Sequence, residues 1–106
     1  MTTPQPGAAL VETTLRRRVT VRGVVQGVGF RPFLYTLATG LGLAGHVTNT
    51  GEGVVAEVEG APAAVALFCD GIVAGAPPLA VVESVEREEL PARGGTAFVI
   101  RDSTAG

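Results

Sequence analysis

The sequence predicts an α+β fold: a ferredoxin-like βαββαβ sandwich, an antiparallel sheet with two helices on one face. Period-2 alternation marks the strands and 3–4 spacing of apolar residues marks two helices, in the order β-α-β-β-α-β with one extra C-terminal strand. The chain has 106 residues, 46% of them hydrophobic, which is enough for one domain to bury a core. No internal repeat is present.

Residues 1–14, rich in Thr, Pro, Gly and Ala and without periodicity, read as a disordered tail. The first strand is expected over about 17–25, with Val19, Val21, Gly23 and Val25 on one face and Arg18, Thr20 and Arg22 on the other. Phe30, Phe33, Leu34, Leu37, Ala38 and Leu41 then form one helical stripe, opened by Pro32 in the first turn and ended by Gly40 and Gly42. A strand at 43–49, the turn Thr50-Gly51-Glu52-Gly53 and a strand at 54–59 read as a β-hairpin. A second helix is expected over 62–74, opened by Pro62 and buried along Val65, Phe68, Cys69 and Ile72. After Pro77-Pro78, a strand runs over 80–90 to Pro91, and the turn Ala92-Arg93-Gly94-Gly95 reverses the chain. A last strand over 96–102 turns Phe98 and Ile100 inward. The folded domain therefore spans 15–103, and 104–106 begin a linker.

Charge and cysteine content narrow the function classes. Net charge is −2 and the sheet offers no paired exposed aromatics, which argues against a nucleic-acid partner. One cysteine excludes an internal disulfide and a multi-cysteine zinc site, so neither metal nor cofactor is expected, and it fits a cytoplasmic protein. No apolar run reaches the ~18–20 residues of a membrane span. All eight basic residues are arginines, and five lie between Arg16 and Arg31. Arg16, Arg17 and Arg18 read as a solvated strand edge, and the glutamates between 83 and 89 as a solvated strand face.

Residues 23–33, Gly-Val-Val-Gln-Gly-Val-Gly-Phe-Arg-Pro-Phe, carry the chemistry. A strand, a glycine-broken loop and a helix N-terminus together suit a phosphate group. The loop is neither a Walker A loop nor a dinucleotide fingerprint, since no Gly-Lys-Ser/Thr follows and Pro32 stands where a third glycine belongs. On spacing alone it is equally a tight turn, and Arg31 is equally a surface ion pair or a bidentate phosphate ligand beside loop amides. Asn49 before Thr-Gly suits turn chemistry or the orientation of a water, with Thr50 in support. His46, three residues earlier, faces the opposite side of the sheet in a structural or solvent role, and Cys69 packs in the core. No nucleophile–base pair is evident. That suits a reaction with a good leaving group, such as hydrolysis of an acyl phosphate.

These residues resemble the acylphosphatase family. Gly23 to Arg31 match its Gly-x-Val-Gln-Gly-Val-x-Phe-Arg motif, and Gly45-His46-Val47-Thr48-Asn49 match Gly-aromatic-Val-x-Asn with His46 in place of the usual tryptophan. The resemblance covers about residues 15–102. It implies that Arg31 binds the phosphoryl group among the amides of Gln26, Gly27, Val28, Gly29 and Phe30, and that Asn49 orients the attacking water. Arg31-Pro32-Phe33, Gly51 to Val55 and Ala76-Pro77-Pro78-Leu79-Ala80 look like the N-terminal domain of the [NiFe]-hydrogenase maturation carbamoyltransferases of the HypF type. That branch implies carbamoyl phosphate as substrate, carbamate and phosphate as products, and downstream domains and a maturation partner protein as neighbours, with this chain as an excised domain. A free-standing acylphosphatase of broad range and a non-catalytic small-anion binder of the same fold are the alternatives.

Overall fold

A computed structural model describes residues 14–102. The elements are β1 (Leu15–Val24), α1 (Phe30–Gly40), β2 (Ala44–Thr50), β3 (Gly53–Gly60), α2 (Pro62–Ala74), β4 (Val81–Leu90) and β5 (Phe98–Ile100). They form one five-stranded sheet in the order β4-β1-β3-β2-β5, with two helices against one face. All but residue 14 of the expected tail at 1–14, and the linker at 104–106, lie outside the described residues. No helix among the described residues is long and apolar enough to cross a membrane.

One-sided alternation decides which face the helices cover. Val19 and Val21 of β1, Val47 of β2 and Val54, Ala56 and Val58 of β3 are fully excluded from solvent. Against them pack Phe30, Leu34 and Ala38 of α1 and Val65, Phe68, Cys69 and Ile72 of α2, the stripes expected from the spacing. The helices meet closely where α2 has glycines. A Cβ on Gly71 would lie 3.0 Å from Leu37, and one on Gly75 3.3 Å from Phe33. Truncating a fully buried ring such as Phe30 to alanine would cost about 3–5 kcal/mol.

The C-terminal part departs from expectation. Residues 91–97 do not fold back as a hairpin on β4; they carry the chain to the far edge of the sheet. There β5 pairs with β2 in parallel, so the sheet is mixed rather than purely antiparallel. The carboxylate of Glu59 accepts hydrogen bonds from the Arg93 and Gly94 N–H groups, both at 2.9 Å, which holds this crossover against β3. Phe98 faces inward, beside Tyr35, as expected; Ile100 does not, because β5 ends there at the sheet edge and leaves it 44% exposed.

Arg16 to Arg18 are also not a solvated edge. β1 lies inside the sheet, paired with β3 on one side and β4 on the other. Arg16 is only 5% exposed and its guanidinium is divided between Glu57, at 2.7 Å, and Glu59, at 2.9 Å. Arg18 reaches Glu57 and Glu88, and Arg17 on the helix side reaches Glu89 and the Cys69 sulfur. The outer glutamates of β4 are exposed as expected, with Glu86 paired to Arg22. His46 lies on this open face opposite Glu57 in the ladder, and burial lowers its pKa.

Burial alone would raise the Glu57 carboxyl, but the hydrogen bonds and charge of Arg16 outweigh it and hold it below the ordinary 4.5. The Arg93 N–H, with Arg16 and Gly94, lowers Glu59 in the same way. The unfolded chain therefore takes up protons on these groups first. Their contribution is complete above about pH 4.5 and is lost as pH falls through the depressed folded values. Urea titrations between pH 7 and 3 are expected to show this acid limb. Arg16→Met takes the buried charge partner from both carboxylates, leaving Glu57 to Arg18 and Glu59 to the Arg93 and Gly94 N–H groups. It should cost about 3 kcal/mol at pH 7, the low end for breaking a buried pair, and shrink the limb.

Candidate active site at one end of the sheet

β1 and β2 both run antiparallel to β3, so they run the same way and their C-terminal ends reach the same end of the sheet. Two strand spacings separate them, about 10 Å. The glycine loop leaves β1 there, and Asn49 and Thr50 end β2. In the register Val21 opposes Val54, which opposes Asn49. Asn49 is therefore on the helix-covered face, in the layer where α1 begins with Phe30 and Arg31, and His46 is on the other face, as expected.

Loop residues 26–29 bend sharply, with Gly27 at φ 74° and Gly29 at φ 82°, left-handed conformations open to glycine at little cost. Gly29 is the N-cap of α1 and has no side chain to satisfy the first-turn N–H groups; no acidic residue stands in that turn. Those donors and the positive end of the helix dipole are available to an anion.

Arg31 is half-buried and donates from Nη1 to the Arg101 carbonyl at 3.0 Å. The Arg101 N–H in turn donates to the Val47 carbonyl at 2.8 Å, two residues before Asn49. The end of β5 thus holds the Arg31 guanidinium beside β2. Among the described residues Arg31, like Arg87 and Arg101, is in no ion pair, whereas Arg16, Arg17, Arg18, Arg22 and Arg93 all are. The surface-ion-pair alternative for Arg31 thus finds no partner among the described residues.

The same lack of a partner marks the Asn49 side chain. Its Oδ1 is buried without a hydrogen-bond partner, the only such side-chain atom among the described residues. A buried acceptor left empty is destabilising, by about 1–3 kcal/mol, so it marks a place for a donor such as water. The Thr50 hydroxyl accepts the Glu52 N–H at 3.0 Å and so stabilises the turn. A cavity of about 400 Å³ opens between the loop and this turn, lined by Gly23 to Gln26 and Thr50 to Gly53.

Two contributors were not visible in the sequence. The Arg101 carbonyl is a main-chain group brought in by the crossover, which no local pattern announces. The Gln26 side chain donates to the Thr50 and Gly53 carbonyls at 2.8 and 2.9 Å, in addition to supplying a loop amide. A second cavity, of about 240 Å³ on the open sheet face, is lined by Arg16, Arg18, Glu57, Leu90, Pro91 and Arg93. It is a poor anion site, because Glu57 and Glu59 already occupy its arginines. Among the described residues no cluster of His, Cys, Asp and Glu could hold a metal ion.

The chain is similar to known proteins in both sequence and fold. A family model described as Acylphosphatase matches residues 17–100. The carbamoyltransferase HypF2 of Cupriavidus necator is 48% identical over 92 residues, which are 86% of this chain and 11% of that protein. An acylphosphatase of Thermotoga petrophila is 40% identical over 85 residues, 79% of this chain and 93% of that one. A full-length HypF structure in a phosphate- and nucleotide-bound form superposes with a TM-score of 0.85 at 32% identity, covering 88% of this chain and 12% of its own. The chain thus spans 11% of the length of the Cupriavidus necator carbamoyltransferase and 13% of the length of the carbamoyltransferase HypF of Rhizobium leguminosarum, to which it is 45% identical.

The empty acceptor has a measurable consequence. Asn49→Ala removes an unsatisfied buried oxygen, so it is expected to leave stability unchanged or to raise it by up to about 1 kcal/mol, as read by thermal or urea unfolding. A loss of several kcal/mol would mean that Asn49 is structural.

Proposed function

The chain belongs to the acylphosphatase family, and from that premise we propose that it binds and hydrolyses an acyl phosphate, with carbamoyl phosphate as the substrate. The observation that carries this reading is the presence at one end of the sheet of two groups without a partner among the described residues: the Arg31 guanidinium, in no ion pair, and the empty buried acceptor of Asn49. In this reading the amides of Gln26 to Phe30 and the Arg31 fork hold the phosphoryl oxygens. A water donating to Asn49 Oδ1 presents its lone pair to phosphorus, in line with the bridging oxygen. The new P–O bond forms as the bridging P–O bond breaks, and carbamate departs with that bond's electrons. The water's protons end on phosphate or in solvent. Carbamate is a good leaving group, so its departure needs no general acid. Charge stabilisation and positioning carry the rate.

The same reading makes the chain a module of a larger carbamoyltransferase of [NiFe]-hydrogenase maturation, where carbamate would feed synthesis of the cyanide ligands. Two observations support this. The two HypF-type relatives of Cupriavidus necator and Rhizobium leguminosarum are about eight to nine times as long as the matched region. The outer side of α2 is also unusually apolar for a surface helix: its one charge is Asp70, and Leu67 and Val73 are more than half exposed. Downstream domains, or the maturation partner protein, are proposed as neighbours. The free, buried Cys69 fits a cytoplasmic setting. A free-standing acylphosphatase is the second reading, favoured by the match over 93% of the Thermotoga petrophila enzyme.

Steady-state hydrolysis of carbamoyl phosphate and of a bulkier aromatic acyl phosphate separates the two. The maturation reading expects preference for carbamoyl phosphate, and a broad-range enzyme expects comparable rates. In either case Arg31→Ala should abolish turnover and Asn49→Ala should lower kcat by about 100-fold or more, the scale of losing an oriented transition-state contact. Full turnover by the folded Arg31→Ala variant would overturn the assignment.

A further inference from the structure

Gln26 is exposed at the end of the sheet, yet its amide nitrogen is fully committed. One NH₂ group carries two N–H donors, and here they reach the carbonyls of Thr50, at 2.8 Å, and Gly53, at 2.9 Å. Thr50 and Gly53 are the pair that closes the β2–β3 hairpin. The Thr50 peptide directly follows Asn49. Among the described residues, no other side-chain hydrogen bond joins loop residues 26–29 to residues 49–53.

We propose that Gln26 is a positioning residue whose carboxamide sets the spacing between the phosphate loop and Asn49. The inference rests on the hydrolytic reading above. The loop's own shape is set by Gly27 and Gly29 and by the start of α1, so it does not depend on this brace. The brace instead decides where the loop sits relative to Asn49, and hence how a bound phosphorus lies relative to the water that Asn49 holds. Misplacement by 1 Å can cost about 100-fold in rate, so a link between the two halves acts on kcat. Side-chain chemistry is specific here. Glutamate has the same length, but an ionised carboxylate accepts only and would face two carbonyl oxygens. Both acceptors are main-chain groups, so the brace is indifferent to the side chain at position 50.

The test compares the wild-type chain with Gln26→Glu, Gln26→Ala and Glu88→Ala, a control at an exposed position on β4 outside the site cavity. Measured are kcat and KM for an acyl phosphate, the inhibition constant of inorganic phosphate, and Tm. In both Gln26 variants kcat is expected to fall about tenfold or more while the phosphate inhibition constant stays within about threefold, the mark of an interaction expressed in the transition state. Glu88→Ala should resemble wild type. Unchanged kcat in both Gln26 variants overturns the proposal. So does a fall in kcat matched by an equal loss of phosphate affinity and a lower Tm, which would make Gln26 part of the cradle or merely structural. If the wild-type chain hydrolyses no acyl phosphate, the hydrolytic reading fails separately. The coupling is then read by NMR in saturating inorganic phosphate: Gln26→Glu should shift the Asn49 side-chain amide resonances, and an unmoved Asn49 signal overturns it.

Discussion

Everything at the candidate site depends on β3 lying between β1 and β2. A strand paired antiparallel on both sides forces its two neighbours to run alike. A glycine loop after β1 and a polar residue at the end of β2 then arrive together, 18 residues apart in sequence between Arg31 and Asn49. The pairing is held by side chains that cannot slip. Moving the register by one residue would turn Val19, Val21, Val54, Ala56 and Val58 out of the core and bring in Arg18, Thr20, Glu57 and Glu59. The same apolar rows that stabilise the sheet therefore set the geometry of the phosphate loop against Asn49.

The opposite face keeps the register in a different way. Arg16, Glu57 and Glu59 form a nearly water-free cluster across β1 and β3, and Glu59 also fastens the 91–97 crossover through two main-chain N–H groups. A buried ion pair adds little net stability over an apolar substitute, but removing one member is costly, so it selects one arrangement over others. Here the selected arrangement reaches the site: the crossover leads to β5, and the end of β5 presents the carbonyl that holds Arg31. Gln26 provides a second and shorter connection, from the loop to the hairpin.

Elements with one wet and one dry face were legible in the sequence. The stripe Phe30, Leu34, Ala38 and the alternation Val54, Ala56, Val58 needed only local periodicity, and both helices begin where Phe30 and Pro62 led one to expect. What depended on distant partners was not. Three consecutive arginines look solvated until Glu57 and Glu59, about 40 residues away, are laid against them. Ala92 to Gly95 have the composition of a reversing turn, yet the Glu59 carboxylate captures them and sends the chain to the other edge. Arg31 and Asn49 each had a bland local explanation. Only the strand order and the family motifs single them out together, and only the structure reveals that, among the described residues, one has no ion-pair partner and the other no donor.

The central claim is that one anion site is built from the loop amides, Arg31 and the Asn49 end of β2. A crystal structure of the chain soaked in inorganic phosphate tests it most directly. The account predicts one phosphate in the cradle, contacted by main-chain N–H groups of residues 26–30 and by the Arg31 guanidinium, with an ordered water on Asn49 Oδ1. An empty cradle at saturating phosphate, or phosphate bound instead among Arg16, Arg18 and Arg93, would contradict it.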